Sequence, residues 1–217
     1  MTEPRTLGSG PGWFVLDKPI GWHTVAGAGD DSSEPSVEAW LRSTHPEQSL
    51  LEESGLVHRL DRGTSGCLLV ATDAASLATL RAGMSDGSIR KVYHALLSNR
   101  PPWGGRFELY FTSRYKRSKK VSVTERGEAK QRGVCTWNLL EQVGDRVLVE
   151  VELVGPGRRH QIRAGFAQLG VPLLGDTLYG GAVWEHEVPA LHAARLELAD
   201  CTIESPSPLH ERLRSSS

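Results

Sequence analysis

Residues 57–71 read Val57-His58-Arg59-Leu60-Asp61-Arg62-Gly63-Thr64-Ser65-Gly66-Cys67-Leu68-Leu69-Val70-Ala71. The second part, Cys67 to Ala71, is an uninterrupted apolar run of strand length and predicts a buried strand. The first part is polar, with Arg59 and Arg62 on either side of Asp61. An aspartate between two cations is held ionised and suits a nucleophile or a charge stabiliser. The same residues also suit a turn, because Asp, Gly, Thr and Ser all bond local backbone. The residue types fit both readings.

Outward from this stretch, strands dominate. Phe14-Val15-Leu16 is a short apolar strand that stops at Lys18-Pro19, since proline denies the ladder a donor. Lys91 to Leu97, Trp137 to Gln142 and Leu191 to Leu198 predict further strands, and Val147, Val149, Val151 and Leu153 alternate onto one face. Helices are few. Ser36 caps a short one to Arg42, Asp73 caps another to about Ala82, and a third runs from Arg159 to Leu169 with Gly170 just beyond it. Gly27 to Glu34 is rich in glycine and acid, hence loop. Strands and helices do not alternate regularly, so the fold class is α+β with a mixed, mostly antiparallel sheet. Residues 1–12 and 211–217 are expected to be disordered tails. Residues 13–210 form one domain, with room for two lobes.

Composition narrows the class. A chain of 217 residues with 39% hydrophobic side chains buries one sizeable core or two small ones, and 24% charged residues argue against disorder. No apolar run approaches membrane-helix length, and the first dozen residues lack a signal-peptide core. The expectation is a cytoplasmic protein. Cys67, Cys135 and Cys201 have no metal-like or redox-like spacing, which argues against a disulfide framework or a cysteine zinc site. The formal net charge of -1 hides an asymmetry: -6 over residues 1–80, +9 over 81–132 and -4 over 133–217. The densest cations are Arg114, Lys116, Arg117, Lys119 and Lys120, with Tyr115 among them. Such a stretch fits a polyanion-facing surface, or a solvated edge whose lysines discourage aggregation.

A second polar cluster, Gly155-Pro156-Gly157-Arg158-Arg159-His160-Gln161-Ile162-Arg163, puts a glycine-rich turn before a helix. Backbone amides and guanidinium groups there suit a phosphate or carboxylate. With a helix from Arg159, Arg159 and Arg163 would share a face, with His160 close by. The bland alternative is an amphipathic helix with its polar side in water. Other chemistries lack the spacing. Ser65 is outside any G-x-S-x-G elbow, His186 lies in no H-E-x-x-H pair, and Gly8-Ser9-Gly10 belongs to the expected tail.

In this order, the segments resemble the RluA-type pseudouridine synthases, which isomerise uridine to pseudouridine in RNA. His58-Arg59-Leu60-Asp61-x-x-Thr64-Ser65-Gly66 matches the family's catalytic motif, Lys91-x-Tyr93-x-Ala95 its second and Gly157-Arg158-x-His160-Gln161-Ile162-Arg163 its third. Gly170-x-Pro172-x-x-Gly175-Asp176-x-x-Tyr179-Gly180, Leu191-His192-Ala193 and Leu16-Asp17-Lys18-Pro19-x-Gly21 extend the likeness across roughly Phe14 to Leu198. Two departures stand out: Arg159 replaces a usual Thr, and Ala164-Gly165 replace an apolar residue and a His.

The resemblance implies the pseudouridine synthase fold, with an RNA-binding cleft and no small RNA-binding domain before Phe14. It implies Asp61 as the nucleophilic carboxylate, Tyr93 stacked on the target base, and Arg163 paired with Asp61. Arg62 would fill the space left by a flipped base. Arg59, Arg158 and His160 would join Arg114, Lys116, Arg117, Lys119 and Lys120 in contacting RNA. The implied partner is transfer or ribosomal RNA, met by a monomer with no membrane, metal or other cofactor. The competing classes are an RNA-binding module of the same fold that has lost catalysis and a small hydrolase using Ser65.

Overall fold

The apolar run at 67–71 sits at the centre of a strand, Ser65–Ala71, in which every residue from Gly66 onward is buried. The computed structural model describes residues 2–25, 34–101, 105–113, 118–184 and 188–215. In chain order the elements are β1 (Arg5–Gly10), β2 (Trp13–Lys18), α1 (Val37–Thr44), β3 (Ser65–Ala71), α2 (Ala74–Asp86), β4 (Arg90–Leu97), β5 (Gly105–Thr112), β6 (Ser122–Thr124), β7 (Arg132–Val143), β8 (Arg146–Val154), α3 (Gln161–Gln168), β9 (Leu191–Glu197), β10 (Thr202–Glu204) and α4 (Leu209–Ser215). This is an α+β protein whose sheet pairs are mostly antiparallel. The span 13–210 that the sequence suggested as one domain separates into two compact units: Met1–Ile89 with Ala193–Pro206, and Arg90–His192 with Ser207–Ser217.

In the first unit, strand order runs β1, β2, β3, β9, with β10 beside β9. β2 and β3 are antiparallel with Leu16 opposite Leu68, both fully buried. Both expected helices form on their expected caps: the Ala39 N–H donates to Ser36 Oγ at 3.2 Å and the Ser76 N–H to Asp73 Oδ1 at 2.8 Å. Residues 2–12 are not a disordered tail. Arg5–Gly10 pairs with Trp13–Asp17, so the backbone groups on one side of the strand bond β2. Gly8-Ser9-Gly10 is therefore strand.

In the second unit the order is β4, β8, β7, β5, β6, all antiparallel neighbours. Val147, Val149 and Val151 are fully buried on one face as the alternation predicts, and Leu148 on the opposite face is fully buried too, in the core cluster that includes Leu209 and Leu213. The aromatic rings of Phe107, Trp137 and Phe166 meet with centroids 5.3–5.9 Å apart between the sheet and α3. The Gly165 departure belongs to this packing, since a Cβ there would lie 2.2 Å from the Phe107 ring. The end of the chain also departs from expectation. α4 buries Leu209 and Leu213 against Leu96, Leu148 and Leu174, so residues 211–215 are helix rather than tail.

Candidate active site

In the first unit the polar stretch before β3 is a loop clamped from one side by residues 18–24. The Thr24 hydroxyl donates to the Leu60 carbonyl at 2.7 Å and accepts the Leu60 N–H at 3.0 Å. The Gly21 N–H donates to the Arg62 carbonyl at 2.9 Å, so the backbone is gripped on both sides of Asp61. The Thr64 N–H donates to the Asp61 carbonyl at 2.9 Å, which closes the turn. The turn reading is thus correct, and it leaves the Asp61 carboxylate on a fixed, half-buried support. Behind it, the Leu69 N–H donates to His58 Nε2 at 3.1 Å, which puts that imidazole's proton on Nδ1. Gly66 is required: its φ is +104° and a Cβ would sit 2.2 Å from the Ala193 carbonyl oxygen.

Lys18 is the residue that reading by residue type missed. It is fully buried, and its ammonium donates to the carbonyls of Trp22 at 2.7 Å and Pro19 at 3.1 Å, with Arg62 more distant at 3.5 Å. Burial pushes its pKa down to about 7; the nearby Asp61 charge acts the other way and Arg62 in the same direction as burial. Its signals were its place at the end of a mostly apolar strand just before a proline and its membership of the Leu16-Asp17-Lys18-Pro19-x-Gly21 likeness, neither of which gives it a role. Arg62 is exposed and Nη2 pairs with Glu34 Oε1 at 2.9 Å, while Glu34 Oε2 meets His23 Nε2 at 2.7 Å. Arg59 is exposed.

In the second unit, Tyr93 lies buried on β4, on the same face as Lys91 and Ala95. Lys91 donates to the Gly155 carbonyl at 2.7 Å, and burial pushes its pKa down to about 8 despite the raising influence of Cys135. The third motif is not one continuous helix face. His160 has φ +54° and acts as the cap of α3, so the helix starts at Gln161. Arg159 therefore stays outside the helix and exposed, whereas Arg163 is buried in its first turn. Arg163 Nε and Nη2 bond Asp176 Oδ2 and Oδ1 at 2.7 and 2.9 Å. Asp61 and Arg163 belong to different units.

Within the second unit, Tyr179 meets the third motif and the end of the basic stretch. Its hydroxyl accepts the Val121 N–H at 2.8 Å and lies 2.9 Å from His160 Nδ1, and its ring faces the Arg163 guanidinium at 5.4 Å and Lys120 Nζ at 5.2 Å. Burial foremost raises its pKa. The Arg159 guanidinium donates to the Ser118 carbonyl at 2.5 Å, so the residue that departs from the usual Thr anchors the chain at Ser118. Lys119 and Lys120 are exposed beside it, and Arg158 Nε donates to the Arg132 carbonyl at 2.9 Å. Arg114, Lys116 and Arg117 lie outside the described residues. Among the described residues no three His, Cys, Asp or Glu side chains gather in a way that could hold a metal.

Comparison with known proteins places this geometry. Residues 12–168 match the family described as RNA pseudouridylate synthase. The chain is 34% identical over 205 residues to an uncharacterized RNA pseudouridine synthase of Zymomonas mobilis, covering 90% of each chain. It is 29% identical over 194 residues to ribosomal large subunit pseudouridine synthase D of the same organism, covering 84% of this chain and 61% of that one. It is 40% identical over 136 residues to a chloroplastic RNA pseudouridine synthase 2 of Oryza sativa, covering 60% of this chain. The chain thus spans about three fifths of the ribosomal relative's length and 30% of the rice protein's. The solved structure of human RNA pseudouridylate synthase domain containing 4 superposes with a TM-score of 0.75 at 21% identity, covering 96% of this chain and 92% of that one. That likeness establishes the fold.

Proposed function

Because this chain belongs to the RNA pseudouridylate synthase family, we propose that it isomerises a uridine in structured RNA to pseudouridine with Asp61 as the reacting carboxylate. The observation that carries the reading is the loop itself: Thr24 and Gly21 bond the backbone on either side of Asp61, which holds the residue that bears the carboxylate in one place. Preorganisation of that kind is what a nucleophile needs.

The uridine is out of reach inside structured RNA, so the nucleotide is flipped out of its stack. Asp61 then drives cleavage of the bond between C1′ and N1, either by adding to C1′ or by taking the 2′ proton, with oxocarbenium-like charge on the sugar. The freed base turns and a bond forms from C1′ to C5 as the Asp61–C1′ bond breaks or, on the other route, as the 2′ proton is returned; the C5 proton then leaves and N1 is protonated. The result is an isomer, so atoms balance with no co-reactant. Tyr93 stacks on the base, and Arg163 supplies guanidinium donors to the site. Arg62 takes the place of the extruded base, which requires it to exchange Glu34 for RNA. Lys119, Lys120, Arg158 and His160, with Arg59 on the other unit, meet phosphates, and the sequence adds Arg114, Lys116 and Arg117.

The likeness to ribosomal large subunit enzymes supports ribosomal RNA as the first substrate to examine, with transfer RNA second. The test is incubation of the protein with total RNA, followed by mapping of carbon-linked uridine. New pseudouridine at a defined site is the expected result. RNA binding without conversion would identify a non-catalytic module of this fold.

A further inference from the structure

Arg163 is held by a built device in its own unit. Its guanidinium presents the Nε and Nη2 edge to both oxygens of Asp176, at 2.7 and 2.9 Å. Asp176 is 1% exposed and Arg163 8%. The carboxylate cannot drift, because the backbone beneath it is fully specified. The Asp176 N–H donates to the Leu173 carbonyl, and its own carbonyl accepts from the N–H groups of Tyr179 at 3.0 Å and Gly181 at 2.9 Å. Gly175, at φ +74°, precedes it, where a Cβ would come 2.1 Å from the Val188 carbonyl oxygen. On the other side, Ile162, Ala164, Gly165 and Phe166 bury the helix that carries Arg163. The Tyr179 ring, 5.4 Å from the guanidinium carbon, restrains the one rotation that two coplanar bonds leave loose.

Stability does not account for such a pair. Burying both charges costs several kcal/mol of hydration, and apolar replacements of similar volume are often as stable or more so. What the pair supplies is direction. Of five guanidinium N–H donors, two are committed to Asp176, and the other three lie on the Nη1 and Nη2 end in one fixed plane. Pairing also offsets the net charge, so the guanidinium acts through the direction in which its N–H groups are held.

We propose that Asp176 is a positioning residue: it sets the rotation of the Arg163 guanidinium so that its remaining donors hold one orientation through turnover. The proposal rests on the synthase reading above. A displacement of about 1 Å in a positioned group can cost a hundredfold in rate. Asp176→Asn should therefore lower kcat by about a hundredfold, while the Kd for RNA stays within threefold. Asp176→Glu, which keeps the charge but moves the carboxylate by one methylene, should fall between Asn and wild type. Arg163→Lys, which keeps the cation but loses the fork, should be as slow as Asp176→Asn.

Thermal unfolding accompanies each assay. A folded Asp176→Asn variant with kcat within threefold of wild type overturns the proposal, as does a loss expressed in RNA affinity rather than in kcat. If the Asn variant does not fold, the Glu variant decides: reduced kcat at unchanged affinity supports positioning, and wild-type kcat overturns it. Failure of both to fold makes the pair a structural one and likewise overturns it. A folded wild-type protein that makes no pseudouridine on any RNA is a different result, since it removes the synthase reading itself.

Discussion

At the strand end before Pro19, the Lys18 ammonium has exchanged water for backbone carbonyls, and that exchange has a pH signature. Its pKa is near 7 in the folded protein and about 10.4 in the unfolded chain. Between those values the unfolded chain binds more protons, so stability rises with pH across roughly 7 to 10 and the penalty is complete below 7. Urea unfolding at pH 7 and pH 9 should show this rise, with a slope of at most about 1.4 kcal/mol per pH unit. Lys18→Met should flatten it, and an unchanged slope in that variant would assign the effect to another group. For Asp61, the Asn variant should lose about a thousandfold or more in turnover, since a nucleophile contributes several kcal/mol to the transition state. RNA affinity should be retained, and a variant with even a few per cent of activity would refute the assignment. Asp61 was legible from the sequence because its motif is contiguous. Asp176 was visible only as one letter of a pattern, because its meaning depends on a partner 13 residues away on another element. Lys18 was hidden for a simpler reason: nothing in a side chain's own type announces that carbonyls will surround it.

Elements whose periodicity reflects their own packing were readable, and those formed by a partner's edge were not. β8 and the apolar part of β3 announced themselves, and α1 and α2 began at the caps their sequences suggest. β1 carries two glycines in six residues and no apolar alternation, yet it is a strand because β2 offers an edge. α4 looked like a polar tail, since only two of its seven residues reach the core. The smaller of those signals has a measurable weight. Leu213 is fully buried among Leu96, Leu148 and Leu174, so Leu213→Ala should destabilise the protein by about 2–5 kcal/mol. Chemical denaturation would register it, and a change under 1 kcal/mol would show that α4 adds little. The basic stretch makes a second prediction at this scale. It is fastened on either side of Lys119 and Lys120, by Arg159 at Ser118 and by Tyr179 at Val121. Neutralising Lys116, Arg117, Lys119 and Lys120 together should weaken RNA binding and reduce the salt slope by about 0.7–0.9 per lost phosphate contact. Unchanged slope and affinity would return the stretch to a solvated edge.

Over the whole molecule, a formal charge of -1 is a poor guide to behaviour. The first unit carries 7 Lys and Arg against 15 Asp and Glu, a net -8, and the second carries 18 against 11, a net +7. Attraction for RNA is thereby local to one unit, with no long-range pull from the molecule as a whole. A stem-loop of roughly 15–25 nucleotides, the footprint of one RNA-binding module, should suffice as substrate, and kcat/KM on it should match that on the full-length RNA. A thousandfold deficit on the hairpin would mean that distant RNA structure or another protein is needed. The path of the chain has its own consequence. The first unit is written in two instalments, residues 1–89 and 193–206, with nearly all of the second unit synthesised between them. On the ribosome, β3 therefore waits with an open edge until β9 has been translated, more than a hundred residues later. Nascent chains stalled before Ala193 should hold the Asp61 loop beside an unfinished sheet, a state open to strand capture by neighbouring chains and to chaperones.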